Sequence, residues 1–210
     1  MTAIAAPCVY FSEGGAQNTV RTLELARDRA ATLGIDQVLV ASTSGATGVL
    51  AARLFHGPSL IVVSHSAGFQ QPDTQELTAE NRLAIESAGA RILICQHALG
   101  GVGRAVRRHL GSYQVDEIIA HTLRVFGDGI KVAAEIALMA ADAGMVRTDV
   151  AAIAIAGSGR GADTAAILLP TNAQTFFALR FLEIICMPSP VHPAHHYAAG
   201  AEGRIAGGER

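Results

Sequence analysis

Tryptophan is absent from this 210-residue chain, aromatic residues make up only 5% of it, and Lys131 is its single lysine beside fifteen arginines. Charge is also scarce. With 16 basic against 18 acidic residues the net charge is −2, which leaves no cationic footprint for nucleic acid or an anionic membrane surface. Cysteine is limited to Cys8, Cys95 and Cys186, far apart, odd in number, and each inside an apolar run. They read as reduced core residues, with metal or disulfide use the lesser alternative. No apolar stretch approaches the length of a transmembrane helix. The start, MTAIAAPCVYF, lacks the basic n-region of a signal peptide, so a soluble, cytoplasmic protein is expected. No internal repeat is visible.

What is present in quantity is apolar: half the residues are hydrophobic, which excludes disorder for most of the chain and fits a buried sheet covered by Ala-rich helices. Short apolar runs alternate with stretches of helical period. Strands are predicted near residues 8–11, 37–42, 59–64, 91–95, 150–156, 165–169 and 181–187. Helices are predicted near 18–33, 46–55, 75–88, 98–110, 115–125 and 129–143. Such alternation implies an α/β fold with a parallel sheet covered on both faces. One domain over 1–188 is expected, followed by a disordered tail, 189–210, rich in proline, glycine and small residues. His192, His195 and His196 lie in that tail.

Ligands of open parallel sheets bind beyond the carboxyl ends of the strands, so the residues just after each apolar run matter most. After QVLVA come Ser42, Thr43, Ser44, Gly45, Ala46, Thr47 and Gly48, leading into a helix. Four hydroxyls and two glycines at a helix start suit a phosphate cradle, where a plain helix cap needs only one hydroxyl. After LIVV comes Ser64-His65-Ser66-Ala67-Gly68-Phe69, and after RILIC comes Gln96-His97 and a glycine-rich run to Arg104. His65 and His97 occupy equivalent places after neighbouring strands. They are predicted to face one cleft, as ligand contacts or as acid and base, against the plainer reading of strand-end histidines bonded to backbone. Their spacing offers no short metal-ligand pair. Lys131 falls in the first turn of a helix, where a cation opposes the helix dipole. Asp128 or Glu135 suffices as its counter-charge; an anionic ligand is the sharper alternative.

The segment Gly157-Ser158-Gly159-Arg160-Gly161-Ala162-Asp163-Thr164 resembles a dinucleotide-binding glycine loop in composition only. Such a fingerprint needs a helix directly after its glycines. Here Ala165–Leu169 is short and is stopped by Pro170, so a second strand is predicted and the nucleotide motif rejected. The loop is expected to join two strands while Arg160 and the glycine amides also offer donors to an anion.

The blocks YFSEGGAQNTVRTLELARDRA, VLVASTSGATG, VSHSAGF, QHALGGVGR, TLRVFGDGIKVAAEIALMAADAG and IAGSGRGADTA together resemble stand-alone proteins built like the C-terminal domain of pyruvate kinase. The resemblance covers residues 9–188. It implies a three-layer α/β/α domain with a mostly parallel sheet, a phosphate-holding loop at 42–47, and flavin mononucleotide (FMN) as the leading candidate ligand. The resembled domain also serves subunit contacts, so a homo-oligomer is expected. In pyruvate kinase the loop carries a basic residue after its glycine, where this chain has Ala46. The stand-alone relatives often read Thr-His-His where this chain reads Ser64-His65-Ser66. No catalytic barrel fits in a chain of this length, so pyruvate kinase activity is not expected. The expected cofactor-binding residues are Ser42, Thr43, Ser44, Gly45, Thr47, His65, Gly68, Phe69, His97, Arg104, Lys131, Gly157, Ser158, Gly159, Arg160, Gly161 and Thr164. His65 and His97 are the catalytic candidates of an alternative reading, an enzyme acting on a phosphorylated metabolite. A ligand-free assembly subunit is the third.

Overall fold

The runs QVLVA and LIVVSH carry apolar side chains on both faces, so they are stable only inside a sheet covered on two sides. The computed structural model, which describes residues 3–191, places them there. Seven strands form one sheet: β1 (Val9–Phe11), β2 (Gln37–Ala41), β3 (Leu60–His65), β4 (Arg91–Cys95), β5 (Ala152–Ala156), β6 (Thr164–Leu169) and β7 (Arg180–Pro188). Their order is β1-β7-β6-β5-β2-β3-β4. Helices α1 (Thr19–Leu33), α2 (Ala46–Ala52), α3 (Ala79–Ser87), α4 (Val102–Leu110), α5 (Val115–Arg124) and α6 (Asp128–Asp142) fill the connections.

Alternation along each strand divides the core. Val38, Val40, Leu60, Val62, Ile153 and Ile155 pack against Leu23 and Ala26 of α1, Ala51 and Ala52 of α2, and Ile85 of α3. The intervening residues Leu39, Ile61, Val63, Ala152, Ala154 and Ala156 pack against Ala133, Ile136, Ala137 and Ala140 of α6. Leu138 of α6 then meets Ala120 of α5 and Leu99. The result is the three-layer α/β/α arrangement. Alanine dominates the α6 face because the helix must lie close over a sheet surface that is itself largely alanine.

One strand departs from the parallel pattern. β6 runs antiparallel to both β5 and β7, while every other neighbouring pair is parallel. The reason lies in the connection: seven residues between Ala156 and Thr164 cannot carry the crossover that a parallel return requires, so the chain doubles back. The glycine-rich loop is therefore a hairpin that leads into a strand.

Gly34 ends α1 in the left-handed region, φ 65°, as the stop signal requires. Asn18 stands at the N-cap of α1 without a side-chain cap hydrogen bond: its side-chain amide donates to the carbonyl of Glu13, while Thr19 Oγ1 accepts from Ala162 N, both tying the helix start to its surroundings. Ser189 N donates to Phe11 O at 2.9 Å, so ordered pairing runs one residue past the expected boundary at 188. The rest of the predicted tail, from 192 to 210 with its three histidines, lies outside the described residues. All three cysteines are free, and burial pushes the Cys186 thiol up to about 12. Among the described residues no helix is long and apolar enough to cross a membrane.

Candidate functional site

The carboxyl ends of β2, β3 and β5, the loop after β4, and α6 from Lys131 to Met139 surround a cleft of about 880 Å³. That volume lies within the range of small-molecule sites. Its wall includes Ser42, Thr43, Ser44 and Thr47 after β2, His65 and Phe69 after β3, His97 and Arg104 after β4, Lys131 on α6, and Gly157, Gly159, Arg160 and Gly161 after β5. The residues predicted from five separate segments thus come together.

The 42–48 turn spends much of its hydroxyl chemistry on itself. Ser42 Oγ accepts from Gly48 N at 3.2 Å and Ser44 Oγ from Ala46 N at 3.5 Å, so both act on the start of α2. Gly45 has φ 92°, and a Cβ there would lie 2.6 Å from Asn81 Cβ and from Leu77 Cδ1. Its bare side therefore faces α3 and not the cleft, which corrects its expected place against a ligand. The glycine is needed for close packing and a left-handed backbone. Thr43 and Thr47 remain on the cleft wall with no hydrogen bond from their hydroxyls among the described residues.

Beside that turn stands an aromatic cluster. The His65 and His97 rings stack with centroids 5.7 Å apart, and Phe69 lies 4.3 Å from His65 and 4.9 Å from His97. The Arg104 guanidinium sits 5.0 Å over the Phe69 ring, within cation–π range. Gly68 lines a small side pocket of about 170 Å³ next to the cleft, together with Phe69, His97 and Arg104. Burial lowers His97 to about 4, with Lys131, Arg104 and His65 adding to the effect and Glu135 opposing it, so its imidazole is neutral at physiological pH.

His65 has a carboxylate partner that sequence spacing did not reveal. Glu76, eleven residues on, brings Oε2 to 3.6 Å from His65 Nε2. The Gln75 amide donates to His65 O at 2.8 Å and its oxygen accepts from Leu77 N at 3.0 Å, which folds the loop back on the end of β3 and delivers Glu76 there.

Lys131 and Glu135 form a buried ion pair one turn apart on α6. Glu135 Oε1 also accepts from Leu99 N at 3.0 Å, which holds the loop after β4. Burial lowers the Lys131 ammonium and Glu135 opposes that shift. Glu135 is thus the counter-charge, while Asp128 bonds Arg124 at 3.0 Å instead. Lys131 nonetheless borders the cleft, as do Glu135 and Arg124, which sequence reasoning had not placed there.

The 157–163 loop is organised by a residue inside it. Asp163 is fully buried and accepts from Gly15 N at 2.8 Å, Ser158 N at 3.2 Å, Ser158 Oγ and Thr164 Oγ1. Ser158 and Thr164 therefore turn their hydroxyls to Asp163 and do not form the cleft wall, a second correction to the expected site. A Cβ on Gly157 would lie 2.6 Å from Gly161 O, and one on Gly161 would lie 2.6 Å from Ala16 Cα, so these two glycines serve the tight turn and its packing. Nothing lies within 4 Å of the corresponding position on Gly159. Gly159 and exposed Arg160 are the open part of the loop.

Neither Arg104 nor Arg160 has a carboxylate partner among the described residues, whereas Arg29, Arg107 and Arg147 each do. No cluster of three or more His, Cys, Asp or Glu side chains among the described residues could hold a metal ion.

The architecture is that of a mostly parallel α/β/α domain with a polar cleft beyond its strand ends. The chain belongs to the family of the pyruvate kinase alpha/beta domain, whose family model matches residues 21–168. That match spans β2 to β5 with nearly all of α1 and β6, and with them most of the cleft wall.

Proposed function

We propose that this cleft binds a phosphorylated small molecule, with FMN the leading candidate. The observation that carries the reading is the pair of guanidiniums, Arg104 and Arg160, that border one cleft without a carboxylate of their own. An arginine fork without an internal partner is suited to a phosphate, which it meets through two parallel charge-assisted hydrogen bonds. The open Gly159 backbone beside Arg160 leaves room for such a group. A flat ring system would find its complement in the rings of Phe69, His65 and His97 on the same cleft wall. The cavity volume suits a mononucleotide. The described residues contain one sheet and no (β/α)₈ barrel, so phosphoryl transfer from phosphoenolpyruvate is not part of this proposal.

An absorbance spectrum of the freshly purified protein, with mass spectrometry of what heat releases, tests the flavin assignment. Calorimetry with FMN and with inorganic phosphate tests the site. Arg104→Ala and Arg160→Ala should each weaken phosphate by about ten- to a hundredfold, the value of one charge-assisted contact. Wild-type affinity in the double variant would refute the reading.

A second reading, an enzyme acting on a phosphorylated metabolite, is favoured by one observation: the carboxylate that Glu76 brings to His65. Self-association also belongs to the proposal. Val115 and Ile118 of α5, with Val125 and Phe126 just after it, are exposed apolar residues on one stretch of chain. Light scattering at micromolar concentration tests this, and a monomer mass counts against it.

A further inference from the structure

His65 and Glu76 stand apart from every other buried polar pair in the described residues. Their side chains are 7% and 15% exposed, yet His65 Nδ1 and both Glu76 carboxylate oxygens have no hydrogen-bond partner. The 3.6 Å between Nε2 and Oε2 is ion-pair distance, just outside direct hydrogen-bond reach. Buried carboxylates are ordinarily held by several donors, and this fold supplies four to Asp163. Glu76 receives none, although the double hydrogen bond of Gln75 fixes its segment against β3.

The order of the groups carries the meaning. His65 borders the cleft, and Glu76 stands behind it, off the wall. A carboxylate that faces one imidazole nitrogen from behind fixes the ring's tautomer and leaves the other nitrogen free to exchange a proton. Here the free nitrogen is Nδ1. Phe69, 4.3 Å from the ring between centroids, packs against the imidazole.

We propose that His65 Nδ1 is the proton acceptor of this cleft, that Glu76 is its positioning residue, and that Phe69 shields the imidazole from bulk water. The inference rests on the reading of the cleft as a site for a phosphorylated molecule, and adds that this molecule presents an acidic O–H, N–H or activated C–H to His65. In the step, the X–H bond of the ligand breaks and its electron pair stays on X. The proton forms a new bond to Nδ1, and the imidazolium charge is balanced by Glu76 across Nε2–H. The reverse transfer restores the neutral imidazole.

Protein labelled with ¹⁵N-histidine, in wild-type, Glu76→Gln and Glu76→Asp forms, gives the first readout. At mildly alkaline pH, wild-type His65 should carry its proton on Nε2 with Nδ1 bare. Gln should mix or invert the tautomers and Asp should restore the wild-type pattern. An Nδ1–H tautomer in the wild type, or a Gln spectrum identical to it, would overturn the proposal. The second readout is acylation of His65 by diethyl pyrocarbonate, located by mass spectrometry. Phe69→Ala should speed it about tenfold, the value of one aromatic contact, and inorganic phosphate should slow it. An unchanged rate in folded Phe69→Ala protein also refutes the idea. Calorimetry with inorganic phosphate separates the two levels: binding with the wrong tautomer sinks the dyad alone, and the right tautomer without phosphate binding sinks the ligand reading.

Discussion

Asp163→Ala tests what the glycine-rich loop is for. The carboxylate is fully buried and serves Gly15 N, Ser158 N, Ser158 Oγ and Thr164 Oγ1, joining the β5–β6 hairpin to the turn before α1. Removing it strands all four donors. A hydrogen bond to a charged group contributes about 1.5–3 kcal/mol, and a buried orphan donor costs about 1–3 kcal/mol. Gly15 and Ser158 are accessible enough to recover water, so their losses shrink, while Thr164 is 1% exposed and cannot. The net should be roughly 3–5 kcal/mol, a large part of the stability of an ordinary domain. Urea unfolding at neutral pH measures it, with Asp149→Ala as the contrast. Asp149 pairs with Arg147 at an exposed site, and its loss should not change stability measurably. A cost below about 1 kcal/mol for Asp163→Ala would show that the loop holds itself by its glycines and that the buried carboxylate is incidental. The same variant should also weaken phosphate binding, because Arg160 would lose its fixed place.

Gly45→Val should be destabilising, by about 3 kcal/mol or more, because it combines a left-handed backbone with a Cβ driven into Leu77 and Asn81; near-wild-type unfolding would refute this. Lys131→Met should cost about 3–5 kcal/mol by leaving the Glu135 charge buried alone. Adding Glu135→Leu should recover much of that, less the contribution of the Leu99 amide, and a double variant worse than the single would contradict the pairing. His97 supplies a pH dependence. Its folded value, about 4, lies below the ordinary 6.5, so its contribution to stability is complete above 6.5, fades as the pH falls, and is gone below about 4. The full shift corresponds to about 3 kcal/mol, and solvent screening of a half-buried ring reduces that to about 1–2 kcal/mol. His97→Asn should flatten the unfolding free energy between those pH values; an unchanged slope would place the titration elsewhere.

The elements were legible because their signals are local. Short apolar runs and stretches of period 3.6 placed all seven strands and six helices, and Pro170 behind Ala165–Leu169 was enough to mark the run after the glycine loop as a strand. The antiparallel return of β6 was not among the expectations, although the seven residues between β5 and β6 leave no room for a crossover. The rule that ligands gather beyond strand ends brought Thr43, His65, His97 and Arg104 forward from three strand ends without any knowledge of the sheet order. Local patterns could not say where hydroxyls and bare glycines point. Ser42 and Ser44 turn to the start of α2, Ser158 and Thr164 to Asp163, and Gly45 to α3, because backbone donors and packing contacts claim those groups first. Pairing between charged groups was equally out of reach where it depended on a loop path. Glu135 is one helical turn from Lys131 and was foreseeable, whereas Glu76 reaches His65 only because Gln75 folds the chain back on β3. The sequence by itself determined the layers, the alternation of the core and the end of the sheet where polar residues collect, since burial acts through periodicity along the chain. Which of those polar residues face the cleft, and which are spent on holding it open, was decided by the tertiary structure, since a hydrogen bond is made by whichever partner stands within about 3 Å, however distant in sequence.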